Sequence, residues 1–274
     1  MAVGEEWLRD QAKRLVDVQG VVGVMLGGSR ARGEHRPESD TDLGLYYRAP
    51  LDVGALAGLA QEVAGPEAQV SEPGAWGPWV DGGGWLRVRG QPVDWLYRDV
   101  DRVQASWADA QRGHYRFHAQ VGHPLGVPDF AYAGEVALGV VLADPTGLLT
   151  GLHEAAGSYP EALAEALVAG LWEATFLLDG ARKTARRGDT AHVAGCLFRV
   201  VGLCVHALHG RAGRWLVNEK GSVASAGRLA VAPERFAQRA AALLGRLGTS
   251  PAELAAAVDG AGALVDATTT ACRR

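Results

Sequence analysis

Apolar residues recur at helical spacing over residues 5–18 and again over 53–64, so the chain opens on one amphipathic helix and carries a second that Gly65-Pro66 ends. Between them the period changes. Residues 21–26 (V-V-G-V-M-L) are a short, largely β-branched run bounded by glycines, and 41–48 (T-D-L-G-L-Y-Y-R) are a second extended run; both predict strands. Residues 84–90 and 91–98 predict a hairpin turned at Gly90-Gln91, 99–111 a helix, and 135–143 (E-V-A-L-G-V-V-L-A) a further strand closed by Asp144-Pro145-Thr146-Gly147. Residues 71–84, rich in Gly, Pro and Trp, read as a loop beside the sheet.

Past that turn the pattern becomes alanine- and leucine-rich with helical spacing over 160–187, 190–209, 221–230, 232–247 and 251–269, with proline at the first position of several segments. The predicted class is α+β: a sheet-containing domain over residues 1–150, then an all-α helical bundle over 151–274.

Composition narrows the partners. A chain of 274 residues that is 48% hydrophobic is long enough for two modest cores. Its net charge of -4 argues against bulk electrostatic binding of nucleic acid and favours a small acceptor. The first residues lack a basic leader followed by an apolar run, and no stretch reads as about 20 uninterrupted apolar residues, so the expectation is a soluble cytoplasmic protein. Cys196, Cys204 and Cys272 lack paired spacing and read as core thiols. His114, His118 and His123 have a spacing that could bind zinc on a helix, but no carboxylate or thiol completes a known pattern.

The chemistry concentrates after the first predicted strand. Gly27-Gly28-Ser29 is a turn whose main-chain N–H groups and Ser29 hydroxyl can donate to phosphate oxygens, because glycine lets the backbone approach a ligand. Asp40 and Asp42, two residues apart at the start of the next strand, project from one face. Two parallel carboxylates repel unless a cation lies between them, and magnesium prefers oxygen ligands shared with substrate phosphates. A two-ion site needs a third carboxylate from a neighbouring strand, and Asp94, on the second arm of the hairpin, is the candidate.

Gly28-Ser29, Gly33 and Ser39-Asp40-Thr41-Asp42-Leu43 resemble the signature of the DNA polymerase beta-like nucleotidyltransferase superfamily. Arg30-Ala31-Arg32-Gly33 is similar to the form in its small bacterial members, among them the aminoglycoside and lincosamide adenylyltransferases and the minimal antitoxin-type enzymes. The resemblance implies a mixed sheet flanked by helices, with the acceptor between the catalytic domain and a helical bundle. It also implies ATP or another nucleoside triphosphate as co-substrate, two Mg2+ ions on Asp40, Asp42 and Asp94, and Gly28, Ser29 and Ser39 about the triphosphate. Arg30 and Arg32, which flank the signature, are candidates to meet phosphate or a nearby carboxylate. Streptomycin-type enzymes carry glutamate where Asp94 stands; aspartate reaches less far, so Glu135 and Glu173 stand beside it as candidate bases. Asn218-Glu219-Lys220-Gly221 is similar to a segment whose lysine faces the phosphates, which makes Lys220 a candidate for the departing pyrophosphate.

Other signals stay open. Arg182, Lys183, Arg186 and Arg187 give one helix a basic face, either solvated or turned to phosphate, with Arg182 and Lys183 the preferred members. Trp76, Trp79, Trp172 and Trp215 either stack on a ring or pack a core. Acceptors within reach of the resemblance are an aminoglycoside-type antibiotic, another small metabolite, or a protein hydroxyl as in the antitoxin-type enzymes. The rival class is a nucleotide-binding regulator that has lost the chemistry, which would lack one of the three carboxylates or the Gly-Ser turn.

Overall fold

The computed structural model describes residues 3–33, 35–36 and 39–273. The chain divides into two compact units, residues 1–109 with 118–158, and residues 110–117 with 159–274.

In the first unit α1 (Glu5–Val16) begins with Glu5 and Glu6 and ends with Lys13 and Arg14, charges that oppose the helix dipole, and it buries Leu8, Ala12 and Leu15. Next come β1 (Val21–Leu26), the single turn α2 (Gly28–Ala31) and β2 (Thr41–Tyr47). Then α3 (Val53–Ala64) is capped by Asp52, whose carboxylate accepts from the Ala55 N–H at 2.9 Å. The hairpin β3 (Gly83–Val88) and β4 (Gln91–Asp99) leads into α4 (Val100–Gln111). A second hairpin, β5 (Phe117–Gln120) and β6 (His123–Pro128), precedes α5 (Ala131–Leu138), β7 (Val140–Ala143) and α6 (Leu148–Ala156).

The main sheet has the order β3-β4-β2-β1-β7, with β2 parallel to β4 and the other neighbours antiparallel. One face buries Val24, Leu43, Leu45, Val93, Trp95 and Tyr97 beneath α1 and α3. The other packs Met25 and Tyr46 against Val100, Val103, Tyr132, Val136 and Leu149 from α4, α5 and α6. Alternation along each strand therefore separates two layers, and residues 42, 94 and 98 lie on the second face.

One local expectation changes in this unit. Residues 135–143 split at Gly139 into the end of α5 and the short strand β7. Ala, Glu and Leu before the glycine favour helix, the β-branched Val140 and Val141 after it favour strand, and a continuous apolar run does not distinguish the two. His118 lies on β5 rather than a helix, with Nε2 at 3.4 Å from Asp129 Oδ2, so the i, i+4 zinc geometry is not formed.

The second unit is helical: α7 (Glu161–Ala169), α8 (Trp172–Ala185), α9 (Thr190–Arg211), α10 (Ser222–Ala226), α11 (Phe236–Gly245) and α12 (Pro251–Cys272). The helix expected over 160–187 breaks at Gly170, where a Cβ would collide with the Tyr115 hydroxyl. Ser250 and Glu253 form a reciprocal capping box on α12. The core helix α9 is long and apolar enough to cross a membrane by length and composition, although Arg199 and three histidines interrupt its apolar run, and most of it is buried within the bundle. The three cysteines are free and buried.

Burial in α9 pushes the His206 imidazole down to about 3, with His209 and Arg199 adding repulsion. The unfolded chain takes up a proton there near pH 6.5 while the folded chain does not, so stability is complete above pH 6.5 and falls as the pH drops toward about 3. We expect this residue to cost roughly 2 kcal/mol between pH 7 and pH 5 in urea denaturation. His206→Leu should flatten the slope by that amount; equal slopes in the two proteins would contradict the burial of a neutral imidazole.

Candidate functional site

The site begins where β1 ends. Gly27 donates its N–H to the Asp42 carbonyl at 2.8 Å, which fastens the turn to the start of β2. Gly28 adopts φ +62°, and a Cβ there would collide with Asp42 Oδ2, so the carboxylate lies against backbone that only glycine can supply. Ser29 follows, half-buried, in the single turn α2.

Arg30 holds this geometry from the other side. Its Nε donates to the Asp40 carbonyl at 3.1 Å and its Nη2 to the Ser39 carbonyl at 2.8 Å, while the Ser39 hydroxyl accepts from the Arg36 N–H at 2.9 Å. Arg30 and Ser39 thus order the segment that carries both aspartates. Arg32 is exposed, yet its charge acts on Asp42.

The parallel pairing of β2 with β4 places Asp42 directly beside Asp94 and Tyr46 beside Arg98. Asp42 and Asp94 are half-buried and Asp40 is exposed. Burial, then the charges of Asp40 and Glu135, raise the Asp42 carboxyl above its ordinary range, against the opposing pull of Arg98 and Arg32. Surplus negative charge beside a glycine turn is what a cation would relieve. Among the described residues no three His, Cys, Asp or Glu side chains stand close enough to hold a metal by themselves, so an ion here would complete its shell with substrate phosphates, as magnesium commonly does.

Glu135 comes from α5, not from a strand, and both its oxygens are engaged by Arg98, at 2.5 Å from Nε and 2.9 Å from Nη2. Burial alone would lower the Arg98 guanidinium, but Glu135 more than offsets this and holds it above its ordinary value. The strand alternation that placed Asp94 also carries Arg98, four residues on, to the same face, a signal the sequence reading left unused.

The remaining candidates lie in the helical unit. Glu173 accepts from Arg199 through both oxygens, at 2.8 and 3.2 Å. Arg182 donates to Asp179 at 2.8 Å and stands 3.9 Å from Asp259, so its charge is already matched on its own surface. Lys183 and Lys220 are exposed, and the Lys220 N–H donates to Asn218 Oδ1 at 3.0 Å. Trp172 is exposed against Phe176, and Trp215 packs on Tyr159. In the first unit Trp79 stacks on His118 at 3.9 Å and joins the core beneath Tyr132.

Comparison with known proteins bears on the first of these units. Residues 5–74, about a quarter of the chain, match the family model described as nucleotidyltransferase domain. The match takes in the glycine turn, Asp40 and Asp42, and supports transfer of a nucleoside monophosphate as the general chemistry. No curated protein matches the chain. A crystal structure of a nucleotidyltransferase-like protein from Exiguobacterium sibiricum 255-15 is similar over 96% of this chain and 74% of its own, with 13% identity and a TM-score of 0.46.

Proposed function

We propose that this chain is a Mg2+-dependent nucleotidyltransferase that moves AMP from ATP onto a hydroxyl of a small acceptor of the aminoglycoside type and releases pyrophosphate. The observation that carries the reading is the Asp42 carboxylate set against the Gly28 turn with Asp94 in register beside it. The catalytic domain would be residues 1–150 and the helical domain residues 151–274.

In this reading the Gly28 and Ser29 N–H groups and the Ser29 hydroxyl bind phosphate oxygens, and Arg30 and Ser39 hold the segment that presents the carboxylates. Asp40, Asp42 and Asp94 are the residues that would hold the ions. When bound, Mg2+ supplies charge neutralisation of the leaving pyrophosphate and a lowered pKa for the attacking hydroxyl. Asp94 takes that proton. Glu135 and Glu173 each engage both oxygens with an arginine. The net charge of -4 supports a cationic acceptor.

The test is pyrophosphate release from ATP and Mg2+ across a panel of aminoglycosides. Release that depends on one of them is expected. Tight nucleotide binding with no release for any acceptor would favour a nucleotide-binding regulator instead.

A further inference from the structure

β3 is an edge strand whose Leu86 and Val88 are buried, while Trp85 points to the opposite face at 71% exposure. It is not a lone surface aromatic. Trp76, from the loop over residues 71–82, lies flat against it with ring centroids 4.1 Å apart and planes within 6°.

That loop is held by Arg102 on the Pro78 carbonyl, by Tyr132 on the Trp79 carbonyl and by a nearly buried amide. Gln120 donates Nε2 to the Trp76 carbonyl at 2.7 Å, and its Oε1 accepts from the N–H groups of Trp79 and Val80, both at 3.0 Å. Gly77, at φ +130°, makes room for it, since a Cβ there would stand 2.7 Å from Gln120 Nε2. The double indole is therefore a preformed shelf, and a preformed surface avoids the ordering cost of binding.

Its position gives it a purpose. Trp85 pairs with Asp94 across β3 and β4, and Asp94 pairs with Asp42 across β4 and β2. Side chains of directly paired residues share a face. Asp42, Asp94 and Trp85 consequently form one row across the sheet, about 10 Å over two strand spacings, and Gly28 lies against the Asp42 end of it. The phosphate turn is at one end, the shelf at the other, and the carboxylates stand between.

In-line displacement requires the incoming hydroxyl to approach opposite the leaving group. With the β- and γ-phosphates at the Gly28 turn, pyrophosphate departs toward β1 and the hydroxyl enters from the side of β4 and β3. We propose that Trp85, backed by Trp76, is the acceptor subsite of the nucleotidyl transfer proposed above, taking the apolar face of a hydroxyl-bearing saturated ring such as a sugar or cyclitol. Paired residues on adjacent strands stand about 5 Å apart, close to the width of a six-membered ring, so the ring that stacks, or its immediate neighbour, carries the hydroxyl presented to Asp94. The acceptor oxygen bonds to the α-phosphorus and its proton passes to Asp94. The α–β bridging P–O bond breaks, and its electron pair leaves with pyrophosphate.

The experiment follows amide and indole N–H signals of 15N-labelled protein, with the Trp85 and Trp76 signals identified through Trp85→Phe and Trp76→Phe. It titrates Mg2+ with α,β-methylene-ATP in one series and kanamycin, spectinomycin and lincomycin in another. The nucleotide should shift the Gly28 amide and leave both indoles in place, and at least one ring compound should shift both indoles. For that compound Trp85→Ala should raise KM at least about tenfold, the scale of a lost stacking contact, with the KM for ATP unchanged. Trp85→Phe, which restores a flat aromatic face, should return it to within about threefold. Indoles that follow the nucleotide alone, indoles that no ring compound moves while Gly28 responds, or an unchanged acceptor KM in Trp85→Ala would each overturn the subsite and leave nucleotidyl transfer standing. A Gly28 amide that ignores the nucleotide would instead overturn the transfer reading, and the subsite with it.

Discussion

Asp42→Asn is expected to abolish metal-dependent turnover and, in the absence of metal, to make the protein more stable. The two effects share one cause. Asp42 is half-buried against the Gly28 turn, and burial together with the charges of Asp40 and Glu135 disfavours its ionised form. An amide of the same shape removes the desolvation and the repulsion but offers a cation only a weak neutral oxygen. Pyrophosphate release should fall at least about 1000-fold, on the order of 4 kcal/mol of transition-state stabilisation. Without metal the melting temperature should rise by about 2 °C or more, the scale of a small electrostatic gain in a protein of this size. Mg2+ with nucleotide should then stabilise the wild type and leave the variant unmoved, since only a state that binds the ligand gains from it. Near-normal release in Asp42→Asn would remove Asp42 from the metal site. A lower melting temperature would contradict the electrostatic account of its environment.

Gly28→Ala should be nearly as damaging, and for a reason that a second glycine can isolate. Gly28 and Gly33 both lie at positive φ, at +62° and +67°, where an L side chain costs about 1–2 kcal/mol. They differ in what a Cβ would meet: Asp42 Oδ2 at Gly28, and nothing within 4 Å at Gly33. Alanine at position 28 must therefore displace the carboxylate or the turn, and catalysis depends on placement at the level of about 1 Å. Turnover should drop at least about 100-fold with a raised KM for the nucleotide. Gly33→Ala should lose stability alone and keep turnover within about threefold. Equal losses in the two variants would show that backbone strain, and not the contact with Asp42, accounts for the effect.

The parts of the site that were legible from sequence are those set by local geometry. A glycine pair leaving a β-branched run places Gly28 and Ser29, and the period of two along β2 places Asp42 on the face that carries Asp94, while Asp40 precedes the strand. Asp94 required a further step, the hairpin turn before it, and the parallel register brings it beside Asp42. What stayed hidden depends on partners distant in sequence. Glu135 reads as part of a strand until Gly139 divides it from β7, and its bond to Arg98 arises only when α5 packs on the sheet. Trp85 reads as an ordinary hairpin residue until its register with Asp94 and its stack on Trp76 are known. The basic helix face reads from sequence as either solvated or turned to phosphate, and within its own unit Arg182 is bonded to Asp179.

The central claim is that the Gly28 turn and the aspartates direct attack to the α-phosphorus. The most direct measurement incubates the protein, Mg2+ and the acceptor that supports pyrophosphate release with ATP labelled at the α- or at the γ-phosphorus, and follows the label. The α-label is expected in the acceptor and the γ-label in pyrophosphate. A γ-label on the acceptor, or in free inorganic phosphate with the α-label left in ADP, would contradict it.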